Sequence, residues 1–155
     1  MNLLSIGGSD PSSGAGIQSD IKTFSVFDVH ALTVITAITG QNTSNFGTVE
    51  PVSKKMVENQ LESIISDFKI DGIKIGMVYN SEIIKTVYQY LKKLKIPIVV
   101  DPVIRSTTGG MLIKKSAIDD FKKFIIPLAT VITPNKFEAE ILAEIKINSK
   151  NIPEK

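Results

Sequence analysis

The chain contains no cysteine and only one histidine among its 155 residues. Without cysteine it can form neither a disulfide framework nor a thiolate metal site. No apolar run approaches the roughly 20 residues needed to cross a bilayer. The first residues lack the basic region and the long apolar stretch of a secretion signal. We therefore expect a soluble, cytoplasmic protein without a membrane span.

Neither sign of charge dominates. The 18 Lys and Arg residues against 16 Asp and Glu residues give a net charge of +2. This balance offers no electrostatic basis for binding nucleic acid or an anionic membrane. The length is typical of one domain, so we expect residues 1–155 to form a single α/β domain. We expect the polar tail, about 146–155, to fray.

Two common nucleotide-binding motifs are also missing. The chain has neither G-x-x-x-x-G-K-[ST] nor G-x-G-x-x-G, which argues against a P-loop NTPase and a Rossmann dehydrogenase. His30 opens a β-branched segment. Because no Ser, Cys or acidic partner is placed to form a triad with it, we interpret His30 as structural.

The amino-terminal segment carries the strongest positive signal. A short apolar strand, residues 3–6, leads into GGSDPSSGAG at 7–16, and a helical pattern follows over 16–27. Glycine has no Cβ and permits a close approach of ligand to backbone. A strand, a glycine-dense loop and a helix together are a common way for α/β proteins to place backbone N–H groups against a ligand.

Strand-like and helix-like apolar periods alternate along the remaining chain. Further strands are predicted at 30–38, 72–77, 97–100 and 129–133. Further helices are predicted after the caps Ser53, Asn80 or Ser81, Ser116 and Asn135. Segment 40–51 is interpreted as a loop, and segment 105–113 as a loop or ribbon. This alternation predicts a mostly parallel sheet with helices on both faces. Ligands of such sheets bind at the carboxyl ends of the strands.

Polar or soft side chains follow each predicted strand. They are the residues from Gly7 to Asp10 after the first strand, then Gln41, Met77, Asp101 and Asn135. Asp101 could ligate a hard cation such as Mg²⁺ or could cap the turn at Pro102. Both alternatives stay open at this stage.

The other candidates also have a simpler structural interpretation. Asn135 and Glu138 fit a capping box, although a helix that begins at the sheet edge also favours phosphate. Asp20 could complement the helix dipole or hold a polar group of a small substrate. Gln41 could be exposed or could bind the edge of a heteroaromatic ring, and Met77 could be core or could pack on that ring.

Taken together, these segments resemble the hydroxymethylpyrimidine/phosphomethylpyrimidine kinase family of the ribokinase-like superfamily. The matching stretches are GGSDPSSGAGIQSDIKTFSVF (7–27), VITAITGQNTSNFGTV (34–49), IKIGMV (73–78), IVVDPVI (98–104) and VITPNKFEAEIL (131–142). Pyridoxal kinases share the architecture and the Asn-x-x-Glu element but generally not this opening loop.

The resemblance implies a three-layer α/β/α fold and transfer of the γ-phosphoryl group of ATP to 4-amino-5-hydroxymethyl-2-methylpyrimidine, in many relatives followed by a second transfer. It implies a pyrimidine pocket that is lined by Gly8, Asp20, Gln41, Met77 and Val103. It further implies that Asp101, Asn135 and Glu138 lie on the side of the Mg²⁺-triphosphate, with Asp101 and, through water, Glu138 holding the metal. A homodimer is also implied.

The chain departs from the family pattern in two respects. The family's glycine-rich Gly-Thr-Gly-Cys segment, which supplies the anion hole and the presumed base, does not occur before Lys155, so we expect a fold without its carboxyl-terminal portion and no catalytic base in this chain. The loop after Val103 has Arg105, Ser106 and Gly110 at positions where the family has other residues. Arg105 could bind phosphate or could be solvated.

Two other functions fit the same residues. One is a non-catalytic, pyrimidine-binding or regulatory module. The other is a pyridoxal-type vitamin kinase.

Overall fold

A six-stranded sheet forms the centre of the computed structural model, which describes residues 1–42, 44–105 and 110–147. The strand order is β3-β2-β1-β4-β5-β6. The strands are β1 (Asn2–Ser9), β2 (His30–Gln41), β3 (Phe46–Pro51), β4 (Gly72–Ile75), β5 (Ile98–Val100) and β6 (Val131–Ile132). All neighbours pair in parallel except β2 and β3, which are antiparallel. This confirms the mostly parallel sheet.

Helices follow most of the strands along the chain. They are α1 (Gly16–Val26), α2 (Lys54–Asp67), α3 (Ser81–Leu91), the single turn α4 (Ile118–Asp120) and α5 (Lys136–Ala143). A 3₁₀ turn at Lys115–Ala117 precedes α4, and a π-helical stretch at Phe121–Ile125 follows it. Side chains cap three of these helices as the sequence predicts, with Ser53 before α2, Asn80 before α3 and Asn135 before α5.

Successive side chains of a strand point to opposite faces of the sheet, and each face contacts different helices. Leu4 and Ile6 of β1 belong to the main apolar core, together with residues of α2 and α3 such as Leu61 and Val87. Ser5 points the other way and donates a hydrogen bond to Asp20 of α1. Helices therefore cover both faces, which is the three-layer arrangement expected.

Several details of the sequence-based prediction are wrong, including the strand predicted at 30–38, which runs on to Gln41. Residues 46–51, interpreted as loop, form β3. Antiparallel pairing with β2 makes this segment a strand, and its sequence alone gives no strand signal. The first strand does not stop at Ile6 but continues to Ser9, so the first glycines belong to the sheet. Ser116 does not cap a helix, since it lies inside a 3₁₀ turn that lacks a side-chain cap.

A register shift between Gly7 and Gly8 shapes the carboxyl end of β1. Gly7 pairs with Ile35 while Gly8 pairs with Ala37, so β2 has one extra residue, Thr36, at this point. The Thr36 hydroxyl donates to the carbonyl of Met77, with 2.5 Å between the oxygens. The irregularity thus ties β2 to the segment that follows β4, at the edge of the sheet where ligands of parallel sheets bind.

Two further findings complete the description. None of the helices in the described ranges is long and apolar enough to span a membrane. Ser106 and the part of the predicted tail from 148 onward lie outside the described residues.

Candidate functional site at the carboxyl edge of the sheet

A cleft of about 390 Å³ opens at the carboxyl ends of β1, β2, β4 and β5. The structure brings all the residues expected at the site into its wall. These residues are Gly8, Asp20, Gln41, Met77, Asp101, Val103, Asn135 and Glu138. What each of them does toward a ligand remains a prediction.

The loop after β1 is organised by a buried carboxylate, Asp10. Its oxygens accept hydrogen bonds from the backbone N–H groups of Ser12, Gly14 and Ala15, at 2.9, 3.1 and 2.9 Å, and from the Ser12 hydroxyl. Burial alone would raise the pKa of Asp10, but the hydrogen bonds from Ser12, Ala15 and Gln41 outweigh it, and the pKa lies below its ordinary value. Asp10 is therefore an ionised internal anchor for the loop.

Two glycines allow close packing where this loop meets the sheet. Gly16 has a φ of +62°, and a Cβ there would lie 2.5 Å from the carbonyl oxygen of Gly8. A Cβ on Gly8 would lie 2.7 Å from the sulfur of Met77. At Gly16 the clash is with backbone, so only glycine fits there, whereas a side chain at Gly8 would have to push the Met77 thioether aside.

One wall of the cleft is apolar. Met77 and Leu112 form a small buried cluster with Ala37, against which Val103 and Tyr79 pack. A polarizable thioether beside branched aliphatic side chains forms a surface suited to the face of a planar ring. Gln41 lines the same cleft and carries both a donor and an acceptor.

The cleft floor carries a row of charges. Lys74 projects from β4 and places its Nζ 3.0 Å from Asp20 Oδ2 and 3.8 Å from Asp101 Oδ2. The Ser5 hydroxyl donates to the same Asp20 oxygen at 2.6 Å. Formal charges of one lysine and two aspartates leave this row net negative.

Asp101 lies at the end of β5 and stays partly accessible. Burial raises the pKa of its carboxyl, Lys74 opposes the rise and the negative charge of Asp20 adds to it. A partly exposed carboxylate beside other negative charge is a suitable ligand for a hard divalent cation, which takes one or two carboxylates and completes its shell with water and phosphate oxygens.

Asn135 and Glu138 form the expected capping box at the start of α5. Asn135 Oδ1 accepts from the Glu138 N–H at 3.0 Å, and Glu138 Oε2 accepts from the Asn135 N–H at 2.9 Å. Glu138 Oε1 also accepts from the N–H of Ile104 at 3.3 Å, and the residue is only 4% exposed. Because these backbone hydrogen bonds already fix both oxygens, contact with a cation through a water molecule suits Glu138 better than direct ligation.

Asp101 and Glu138 fit a magnesium ion whose remaining ligands are phosphate oxygens and water. Within the described ranges no group of three or more His, Cys, Asp or Glu side chains could hold a metal. Asp101 would supply one direct ligand and Glu138 an outer contact. Phosphate oxygens and water would have to complete the shell.

Arg105 and His30 do not line the cleft. Arg105 is exposed and lies over the ring of Phe137, with 5.6 Å between the guanidinium carbon and the ring centroid. It pairs with Met111 in an isolated antiparallel bridge, as a short ribbon would. His30 starts β2 at the opposite end of the sheet and stacks on Phe68, which agrees with a structural role.

Sequence reasoning did not single out two residues that organise the cleft. Asp10 was visible only as part of the glycine loop, and its contacts depend on how that loop closes. Lys74 alternates with Ile73 and Ile75, and this pattern could have placed it on the face opposite the main core. A lysine on a strand is usually solvated, so the pattern did not suggest a half-buried ion pair.

Comparison with solved structures defines the class of the fold. Phosphomethylpyrimidine kinase from Clostridium difficile 630 superimposes with a TM-score of 0.89 at 45% identity, over 97% of this chain and 66% of that chain. Pyridoxal kinase from Staphylococcus aureus in complex with pyridoxal gives a TM-score of 0.84 at 36% identity, over 96% and 56%. The fold is therefore the ribokinase-like α/β fold of small-molecule kinases, as the sequence predicts.

Sequence comparison narrows the class. The family model described as phosphomethylpyrimidine kinase matches residues 10–155, and the chain belongs to this family. A hydroxymethylpyrimidine/phosphomethylpyrimidine kinase from Synechococcus elongatus is 42% identical over 144 residues, which are 93% of this chain and 55% of the relative. The chain spans about half the length of the curated relatives it matches.

Proposed function

We propose that this chain provides the substrate-binding half of a kinase that phosphorylates 4-amino-5-hydroxymethyl-2-methylpyrimidine, and then its monophosphate, with ATP and Mg²⁺ in thiamine biosynthesis. The observation that carries the proposal is the composition of one cleft. Its lining combines the apolar wall around Met77 with Gln41 and Asp20, and it also includes Asp101 and the start of α5. Family membership and the names of the relatives support the same substrate class.

The chain's own residues would position the reactants. Met77 and Val103 would pack against the pyrimidine ring, and Gln41 and Asp20 would hydrogen-bond its polar groups. Asp101 would hold the cation, and Asn135 would contact a phosphate or its metal. A bound Mg²⁺ would neutralise charge on the triphosphate, which is a main requirement of phosphoryl transfer.

The general base and the anion hole are expected from the carboxyl-terminal portion of the family fold. We therefore expect the 155-residue chain to bind the pyrimidine but to transfer little phosphate. ATP as phosphate donor also favours a cytoplasmic location, and the family resemblance favours a homodimer; both belong to the proposal.

A direct test compares two proteins for ATP- and Mg²⁺-dependent phosphorylation of the pyrimidine alcohol. One is the chain alone, and the other is the chain fused to the carboxyl-terminal half of the Synechococcus elongatus relative. Turnover by the fusion and almost none by the chain alone supports the proposal. A folded fusion that does not phosphorylate the alcohol contradicts it.

Pyridoxal is the second candidate substrate, because pyridoxal kinases are also close structural neighbours. Gln41→Ala distinguishes the two. If the pyrimidine is the substrate, removal of the Gln41 amide should weaken the preference for it over pyridoxal. An unchanged preference would favour the pyridoxal-type activity.

A further inference from the structure

Lys74 has the most enclosed ammonium group among the described Lys–Asp pairs. Its side chain is 24% exposed and that of Asp20 is 18% exposed, whereas Lys85, which pairs with Asp120 at 2.9 Å, is 53% exposed. Exposed ion pairs contribute little, because water screens them and both side chains lose freedom. The Lys74 pair is shielded from this screening, so its geometry is more strongly fixed.

The ammonium is held from several directions. Both oxygens of Asp20 lie within hydrogen-bond distance of Lys74 Nζ, at 3.2 and 3.0 Å. Asp101 lies on another side, and a Cβ on Gly76 would come within 3.0 Å of Nζ. Ser5 closes the arrangement by donating to Asp20. Lys74 therefore occupies the space between a carboxylate on α1 and a carboxylate at the end of β5.

From this arrangement we propose that Lys74 is a positioning residue of the site: its ammonium fixes the Asp20 carboxylate for the substrate and competes with a divalent cation for Asp101. The inference rests on the proposed function. Without the ammonium, Asp20 and Asp101 would face each other as two uncompensated negative charges. Asp20 would then turn away from the geometry that its bonds with Ser5 and Lys74 impose.

The two parts of this role have opposite consequences for ligands. Loss of Lys74 should weaken binding of the pyrimidine alcohol, because Asp20 is no longer held in place. The same loss should strengthen binding of a divalent cation, because Asp101 is released from a competing positive charge. A variant that merely loosens the fold would weaken both.

The experiment uses the 155-residue chain and its Lys74→Met variant, with Lys85→Met as the matched control that removes another lysine from an ion pair outside the cleft. Calorimetry measures the affinity for 4-amino-5-hydroxymethyl-2-methylpyrimidine, and electron paramagnetic resonance measures the affinity for Mn²⁺. Thermal unfolding gives the folded fraction of each variant, and both affinities are calculated for the folded protein only. We expect Lys74→Met to lose at least about tenfold in pyrimidine affinity and to gain severalfold in Mn²⁺ affinity, with both affinities unchanged in Lys85→Met.

A double-mutant cycle with Asp20→Asn separates positioning from direct contact. If Lys74 acts through Asp20, Lys74→Met should cost little further pyrimidine affinity once Asp20 is Asn. Independent, multiplicative losses would overturn the inference, since Lys74 would then touch the ligand itself. Equal or weaker Mn²⁺ binding by Lys74→Met would overturn the claim about Asp101.

The wild-type measurement separates the two proposals. A folded wild-type chain that does not bind the pyrimidine contradicts the proposed function, and with it a role for Lys74 in that function. Pyrimidine binding that is equal in wild type and Lys74→Met contradicts the inference about Lys74 alone.

Discussion

Asp10 shows how one buried side chain can determine the shape of a binding loop. Its Oδ1 accepts from the Ser12 N–H and its Oδ2 from those of Gly14 and Ala15, so an amide in its place would put an NH₂ group against one of these donor sets. We expect Asp10→Asn to lower the free energy of unfolding by about 2–3 kcal/mol near neutral pH, which is typical when hydrogen bonds to a buried charge are lost. Chemical denaturation measures this difference.

The pH dependence of that difference follows from the lowered pKa of Asp10. The unfolded chain binds the proton more tightly than the folded one, so the stabilisation is complete above the ordinary pKa near 3.8 and is lost as pH falls through the lower folded value. The gap between wild type and Asp10→Asn should therefore shrink in acid. A gap that stays constant down to pH 2 would show that Asp10 does not titrate in this way.

Gly8 lies directly beside the Met77 side chain, where an added Cβ would come within 2.7 Å of the sulfur. We expect Gly8→Ala to displace the Met77 thioether and to lower pyrimidine affinity by at least about tenfold, because the new methyl group would overlap the sulfur. Gly14→Ala is the matched control, since a Cβ there meets nothing nearer than 3.6 Å. Calorimetry on both variants tests the prediction, and similar affinities would contradict the placement of Met77 in the ligand site.

At the scale of elements, the start of α5 combines a helix cap with part of the cleft wall. Asn135→Ala should cost about 1 kcal/mol of stability, and so should Ser53→Ala at the start of α2, because each removes one N-cap hydrogen bond. Only the first substitution should weaken binding of Mg²⁺-ATP, since only Asn135 lines the cleft. Denaturation combined with calorimetry compares the two variants. Equal nucleotide affinity in the two variants would show that Asn135 caps α5 without contributing to nucleotide binding.

Elements with strong local signals could be predicted from the sequence. The buried strands are β-branched runs, and Ser53, Asn80 and Asn135 are caps whose side chains bond the first turn of the helix that follows. β3 could not be predicted, because its polar sequence becomes a strand only through pairing with β2.

The candidate site was predictable as far as strand ends determine it. Parallel strands bring their carboxyl ends to one edge, and the cleft accordingly collects Gln41, Asp101 and Asn135 from separate segments. The partners of Asp10 and Lys74 were not predictable, because they depend on loop closure and on how α1 packs on β1 and β2, which brings Asp20 beside Lys74. The spacing of residues in the sequence indicates neither the loop closure nor the helix packing.

At the scale of the whole molecule, the two edges of the described sheet differ. β3 exposes polar residues such as Thr48 and Glu50. β6 exposes Val131 and Ile132, at 51% and 43%, and Val99 of the adjacent β5 is also exposed. An unpaired apolar edge promotes pairing with another chain, whereas a polar edge discourages it.

We therefore expect the chain to form dimers or larger species, or to be marginally stable, and we expect Val131→Lys to reduce the association. A charge on an edge strand opposes pairing between edges. Light scattering measures the mass, with Thr48→Lys on β3 as the control that should leave it unchanged. A monomeric wild type with a cooperative transition at high temperature would count against this account of the edge.

The central claim is that the strand ends build one pocket for a pyrimidine alcohol. Calorimetric titration of 4-amino-5-hydroxymethyl-2-methylpyrimidine into the 155-residue chain tests it most directly. The account predicts saturable binding of one molecule per chain, at least about tenfold weaker in Gln41→Ala and in Met77→Ala while both variants remain folded. No binding by the folded wild-type chain, or binding that neither substitution alters, would contradict it.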